Sequence, residues 1–493
     1  MLGRTVDEAA TRYGDRPFAM EYGPDPSVGA RAILTYAELA DRSSRLAAAW
    51  RRLGVGEGDV VALTIPSGCA YATAYVAASR LGAVTAGINP TLTDPERDRL
   101  LDHLAPTLTI DDSAALEVAC TSDSRTPAER VDDLDEHPDR MVAVVFTSGT
   151  TGTPKGAVFR DRQIDAVGRI DIGEGWRDHW AVEEGHALAS TQMAHVGFMT
   201  KLESTLHLGL TTHVLARWRA DDMLRLVARH RIAVLGVIAP QLALMLRSPL
   251  IERLDLDCVE RIVAGGAASP PAMIREARRR FGATYSVRYS STESGGVGLA
   301  TAFDASESEM VGGIGRPRPG VEVRILDSSL DRVVDGIGEL CLRSPTQADG
   351  YWRAPDATSA TFRDGWLHTG DLARRNEDGT YTLCGRAKEM YVRGGYNVSP
   401  AEVEQELSGH PAVAAVAIVP RPDPVMGEIG VAVVVPTAAE HDRRPTLEDL
   451  RSFAGPSLAR WKLPEAILFV DALPLTPAQK LDRDALVRLA STE

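Results

Sequence analysis

The run from Met141 to Ala157, MVAVVFTSGTTGTPKGA, constrains this chain more than any other stretch. Met141 to Phe146 is apolar and rich in Val, the pattern of a strand buried on both faces. Thr147 to Gly156 then combines glycines, Ser/Thr hydroxyls and Lys155, with no acidic residue. A strand opening into such a loop offers backbone N–H groups, hydroxyl donors and a cation to one polyanion. Its glycines permit positive φ and close approach of the backbone. The expected guest is a nucleoside triphosphate. The loop is not a Walker A motif, because Pro154 precedes Lys155 and Gly156 follows it. The competing reading is a flexible Ser/Thr/Gly linker, but linkers seldom follow so apolar a strand.

At 493 residues the chain exceeds the size at which single cores stop growing, so two or more domains are expected. A net charge of −14 argues against general nucleic-acid binding, which needs a basic face. It leaves room for an anionic substrate in a locally positive pocket. The cysteines, Cys69, Cys120, Cys258, Cys341 and Cys384, are scattered and lack C-x-x-C spacing. That fits a reducing cytoplasm rather than a disulfide framework or a zinc site. No signal peptide is apparent at the charged start, and no window reaches the length of a membrane span.

The first 140 residues alternate helix and strand signals. Thr35–Glu38 and Thr93–Glu96 are capping boxes that open helices. Asp59 to Ile65, Val84 to Ile88 and Leu108 to Ile110 are strand candidates. Strands separated by helices predict parallel sheets with helical cover. Residues 121–139 are polar and read as a surface connection. Alternation resumes with strands at Thr211–Leu215, Ile232–Ile238 and Arg261–Ala264, and helices at 220–230 and 270–281. From Val321 shorter strands with turns take over, at Val321–Leu326, Glu339–Arg343 and Thr380–Leu383. Beyond Lys388 a self-contained α+β pattern follows: helices at Pro400–Leu407 and Leu447–Phe453, strands at Val413–Val419, Glu428–Val435 and Ala466–Val470.

Further polar runs punctuate this frame. Val263-Ala264-Gly265-Gly266-Ala267-Ala268 is a strand running into small residues, which by itself is an ordinary strand-to-helix turn. Val287-Arg288-Tyr289-Ser290-Ser291-Thr292-Glu293 offers an aromatic ring, a hydroxyl and a carboxylate. A carboxylate beside phosphates needs a cation between them, which makes Glu293 the natural Mg²⁺ ligand. Gly365-Trp366-Leu367-His368-Thr369-Gly370-Asp371 and Gly385-Arg386-Ala387-Lys388-Glu389 follow, then Arg393-Gly394-Gly395-Tyr396 and Pro477-Ala478-Gln479-Lys480.

TSGTTGTPKG and these runs, in this order from about Val6 to Leu486, closely resemble the acyl-adenylate-forming superfamily. That superfamily includes acyl- and aryl-CoA synthetases, peptide-synthetase adenylation domains and beetle luciferases. Asn397-Val398-x-Pro400-x-Glu402-Val403-Glu404 favours the CoA-ligase branch. The resemblance implies an α/β fold. A large N-terminal domain of parallel-rich sheets covered by helices, with a small β-rich subdomain, would span 1–387. A small mobile α+β domain would span 388–493.

The resemblance also implies roles. Thr147, Ser148, Gly149, Thr150, Thr151, Gly152 and Lys155 would hold phosphates. Gly265, Gly266 and Ala267 would flank adenine, with Arg288, Tyr289, Ser290 and Thr292 completing the nucleotide site. Ser290 stands where glycine is common in the family. Asp371 would accept the ribose hydroxyls, Arg386 would reach ribose or phosphate, and Lys388 would be the hinge. Lys480 would be the adenylation lysine, acting with Thr292 and Glu293. Its usual glycine neighbour is here Gln479. His195, Val196, Gly197 and Gly295 would line the acyl pocket, and Gly394, Gly395 and Tyr396 the CoA side.

The implied reaction joins a carboxylic acid to CoA at the expense of ATP, with Mg²⁺, in a monomer or homodimer. The pocket residues offer no obvious charged partner, which favours a medium-chain fatty acid or an aromatic or alicyclic one. An enzyme that passes the acyl group to a carrier protein is the alternative. A nucleotide-binding regulator on a degenerate scaffold is a third, disfavoured by intact Thr292, Glu293, Asp371, Arg386 and Lys480.

Overall fold

The computed structural model describes residues 2–116, 137–147, 154–267, 269–310, 313–327, 333–334, 336–386, 389–393, 396–437, 444–476 and 480–491. The strand Met141–Phe146 lies in a sheet ordered Leu108–Ile110, Val60–Leu63, Val84–Gly87, Met141–Phe146, Gly156–Arg160. The first four strands run parallel, and Gly156–Arg160 returns antiparallel to Met141–Phe146. Val60–Leu63 and Val84–Gly87 are buried at every position, which explains their lack of polar alternation. The helices Tyr36–Arg52 and Asp94–Leu104 begin at the expected capping boxes, Thr35 with Glu38 and Thr93 with Glu96. The Ala-rich helix Cys69–Arg80 is buried around almost its whole circumference, where small side chains allow close packing.

A second sheet starts with three parallel strands, Val234–Ile238, Arg261–Gly265 and Thr284–Tyr289. Helices Ala220–His230 and Pro271–Phe281 cover a separate apolar core beside it. The sheet then turns antiparallel through Leu299–Ala300, Gly313–Pro317, Tyr381–Arg386, Trp366–Arg375, Gly338–Arg343 and Glu322–Leu326. The parallel and β-rich parts are therefore one continuous sheet. A third sheet joins Ala30–Thr35, Pro17–Tyr22, Leu210–Leu215 and Gly185–Leu188.

Gly365 to Asp371 carries turn-type glycines, yet Trp366–Arg375 is a continuous strand. Gly370 adopts φ +71°, and the pairing with Tyr381–Arg386 shifts register between Leu372 and Ala373. A bulged strand of this kind re-aims a side chain without ending the ladder.

From Tyr391 onward the chain has apolar clusters of its own, around Val403, Ile418 and Val434 on one face and Val419, Val433 and Leu486 on the other. They cover both faces of a sheet built from Tyr396–Val398, Tyr391–Arg393, Gly427–Pro436, Val413–Asp423 and Ala466–Phe469. Among the described residues, no helix is long and apolar enough to cross a membrane.

Candidate active site

The parallel strands end side by side, with Ile238 opposite Gly265 and Gly265 opposite Arg288. Ligands of open α/β sheets bind beyond such carboxyl ends. A Cβ on Gly265 would stand 3.0 Å from the Arg288 carbonyl oxygen, and Gly266 adopts φ +76°. Gly266 and Ala267 are exposed there, leaving backbone free for a flat ring.

Tyr289, next on that rim, donates its hydroxyl hydrogen to Asp371 Oδ2 at 2.5 Å. Arg386 Nε donates to Asp371 Oδ1 at 2.7 Å. Burial, reinforced by Asp371, raises the Tyr289 pKa far above the usual phenol range. Burial works against the Arg386 charge, but Asp371 outweighs it and the pKa rises. The bulged strand thus presents the Asp371 carboxylate between two donors.

Glu293 accepts a hydrogen bond from the Tyr351 hydroxyl at 2.8 Å. The Lys155 Nζ lies 5.1 Å from the centre of the same Tyr351 ring. Tyr351 is fixed because Ala157 bridges to it and Trp352 N donates to Gly156 O at 2.7 Å. It therefore links the closing end of the hydroxyl-rich loop to the carboxylate. Thr147 and Lys155 pin the mouth of that loop, Thr147 N donating to Lys155 O at 2.8 Å. Ser148, Gly149, Thr150, Thr151 and Gly152 lie outside the described residues, as do Lys388, Gly394 and Gly395.

Lys480 reaches this cleft from the C-terminal unit. Its backbone is held on both sides, Thr476 N donating to Lys480 O at 2.7 Å and Leu475 bridging Leu481. The walls of the cleft desolvate its ammonium and Arg386 repels it, so its pKa falls, while Glu293 and Asp371 pull the other way. Lys480 also acts on His195, whose pKa is lowered by burial first and by Lys480 second. His195 precedes the short helix Val196–Met199, whose Phe198 packs edge-on against Tyr71 and Tyr75 at 5.8 and 5.6 Å. Ser290 and Gly197 are exposed, and Thr292 and Val196 half-buried.

Two placements refine the sequence expectation. Gly295 is buried, at φ +69°, and a Cβ there would lie 2.2 Å from the Thr346 carbonyl oxygen. Its neighbour Gly296 is the exposed one, 3.9 Å from Val196 Cγ1 and Thr200 Oγ1 when a Cβ is added. Arg288 lies near enough to Lys201 and Arg318 for their charges to act on one another, and the latter two meet on Asp171. Arg318 Nη1 donates to Asp171 Oδ1 at 2.9 Å, and Lys201 Nζ contacts the other oxygen. Burial, then Arg318, pushes the Arg288 pKa down to about 10. Tyr351, Lys201 and Arg318 carry no motif and were not expected in the site.

The family model described as AMP-binding enzyme matches residues 6–352, and that of its C-terminal domain matches residues 402–480. The chain belongs to the AMP-binding enzyme family. It is 33% identical to a medium/long-chain-fatty-acid–CoA ligase of Mycobacterium tuberculosis, FadD8, over 92% of this chain and 85% of that protein. It is 31% identical to a fatty acid–[acyl-carrier-protein] ligase, ScoC, of Streptomyces coeruleorubidus, over 92% and 91%. Among solved structures, ATP-bound MatB from Rhodopseudomonas palustris superposes with a TM-score of 0.84 at 25% identity, over 99% of each chain. Within the AMP-binding family the chain is an acyl-CoA synthetase.

Proposed function

We propose that this enzyme activates an apolar carboxylic acid, a medium-chain fatty acid or an aromatic or alicyclic one, as acyl-AMP and then transfers the acyl group to CoA. One observation carries the reading: Lys480, delivered by the C-terminal unit, is electrostatically coupled to Glu293, Asp371 and Arg386 in one cleft.

A carboxylate is a poor acyl donor because oxide is a poor leaving group. Attack of the carboxylate oxygen on the α-phosphorus of ATP forms the mixed anhydride and expels pyrophosphate. In this step Asp371 holds the ribose hydroxyls. Thr147 and Lys155 flank the triphosphate. Lys480 lies against the attacking carboxylate and the α-phosphate, offsetting charge as it develops. Glu293, an oxygen donor steadied by Tyr351, has the hard-ligand character that Mg²⁺ requires, with Thr292 beside it. Bound there, Mg²⁺ would neutralise phosphate charge. His195 stays neutral at pH 7, and the carboxylic acid is already ionised, so no general base is needed.

In the second step the CoA sulfur attacks the acyl carbon, the anhydride C–O bond breaks, and AMP leaves. Gly394, Gly395 and Tyr396 would line the approach of CoA after the unit from 388 to 493 turns about Lys388. Passage of the acyl group to a carrier protein is the rival acceptor, supported by the likeness to a carrier-protein ligase. A panel of carboxylates assayed for AMP release, with CoA or with a carrier protein, tests both. CoA-dependent thioester from an apolar acid is the expected result.

A second substrate reading rests on Lys201 and Arg318, which share the carboxylate of Asp171 beside segment 196–201, and on the charge of Arg288 acting on both. A second anionic group on the acid would balance that excess of cations. Dicarboxylic acids belong in the same panel, and their preference over monoacids would select this reading.

A further inference from the structure

Three histidines meet away from the cleft, at a seam between two apolar cores. His186 lies on Gly185–Leu188, His213 on the adjacent strand Leu210–Leu215, and His230 closes helix Ala220–His230. His186 Nδ1 is 3.1 Å from His213 Nε2, and one ring nitrogen from each histidine lies within 4.8 Å of the others. The Tyr22 hydroxyl, from Pro17–Tyr22, lies 2.9 Å from His213 Nδ1 and 3.0 Å from His230 Nε2. Tyr22 and His213 are buried; His186 and His230 are half-buried.

We propose that His186, His213 and His230 form a binding site for a first-row divalent transition-metal ion, with zinc as the first candidate. A tetrahedral ion with bonds of about 2.0–2.1 Å to imidazole nitrogens spaces its ligands by about 3.3 Å. The His186–His213 pair already stands at that spacing. An all-nitrogen donor set suits zinc, copper or nickel and excludes Ca²⁺ and Mg²⁺, which take oxygen ligands. Tyr22 holds the far nitrogen of His213, the kind of outer hydrogen bond that fixes a metal-bound imidazole. Arg229 lies close enough to oppose a cation, and Glu184 lies on the His186 side to favour one. The ion would tie the edge of one sheet to the last turn of a helix covering the other core. A metal-free hydrogen-bonded cluster is the rival.

The test uses full-length protein stripped by a chelator, then titrated with Zn²⁺ or Co²⁺ alone. One equivalent per chain, a rise in melting temperature and the visible absorption of tetrahedral Co²⁺ are expected. His186→Ala and His230→Ala should each lose that equivalent, while Cys341→Ser keeps it. Cys341 is the control because Glu339, Cys341 and His368 form the other cluster of potential ligands among the described residues. The wild-type Co²⁺ spectrum decides even where a variant fails to fold: a thiolate charge-transfer band overturns the assignment, and its absence supports it. No stoichiometric binding, or binding retained by both histidine variants, also overturns it.

Discussion

Tyr289 and Asp371 meet at 2.5 Å, hydroxyl to carboxylate, across strands far apart in sequence. That pairing turns Asp371 toward the rim where Gly265 and Arg288 end their strands. Asp371→Asn should raise the KM for ATP by about tenfold to a hundredfold, the range for a lost hydrogen bond to a charged group. Tyr289→Phe, which leaves the carboxylate and Arg386 in place, should cost about tenfold or less. Pyrophosphate exchange measured against ATP concentration checks both; an unchanged KM in Asp371→Asn would remove that residue from the nucleotide site.

Tyr351 joins Lys155 to Glu293 without being able to do chemistry itself. Tyr351→Phe should lower the rate of acyl-AMP formation about tenfold and shift its Mg²⁺ dependence to higher concentration. The reaction of supplied acyl-AMP with CoA should change by about twofold at most. A merely structural role would depress both half-reactions together.

The adjacent glycines separate fold from specificity. At Gly295 a Cβ would run into the Thr346 carbonyl oxygen, so Gly295→Ala should destabilise the protein by about 3 kcal/mol, from overlap and left-handed strain combined. At Gly296 the space is open and only the φ of +73° is penalised, about 1 kcal/mol. Gly296→Ala should instead change the ranking of acids in the carboxylate panel. Denaturant melts and the panel read the two effects separately.

Asp161 supplies a pH signature of stability. Burial pushes its pKa from the usual 3.8 up to about 6, with Glu203 adding to the effect and Arg140 opposing it. A carboxyl raised in the folded state contributes stability below pH 3.8 that is lost as pH rises through 6. Asp161→Asn removes the loss. Its stability relative to the parent should therefore grow between pH 4 and pH 7, by on the order of 2–3 kcal/mol. A difference independent of pH in chemical denaturation would contradict this.

Much of the site was legible because its polar residues interrupt apolar strands. Gly265, Tyr289 and Arg386 each stand where a Val-, Leu- or Tyr-containing run stops, and strand ends are where a sheet can expose chemistry. The strand carrying Asp371 was hidden, because a bulge needs the same glycine as a turn. Tyr351 was hidden for a different reason: its role comes from docking segment 348–352 onto Gly156–Arg160, a contact with no local signal. Lys201 and Arg318 become neighbours by meeting on Asp171, from segments far apart in sequence. His186, His213 and His230 have no metal-ligand spacing, since two adjacent strands and a helix end bring them together.

Separate assay of the two half-reactions in Lys480→Ala tests the central claim most directly. The account predicts that acyl-AMP formation, followed by pyrophosphate release, falls by at least about a hundredfold. Supplied acyl-AMP should still be converted with CoA at close to the parent rate. Equal loss of both half-reactions, or an unimpaired first one, would contradict it.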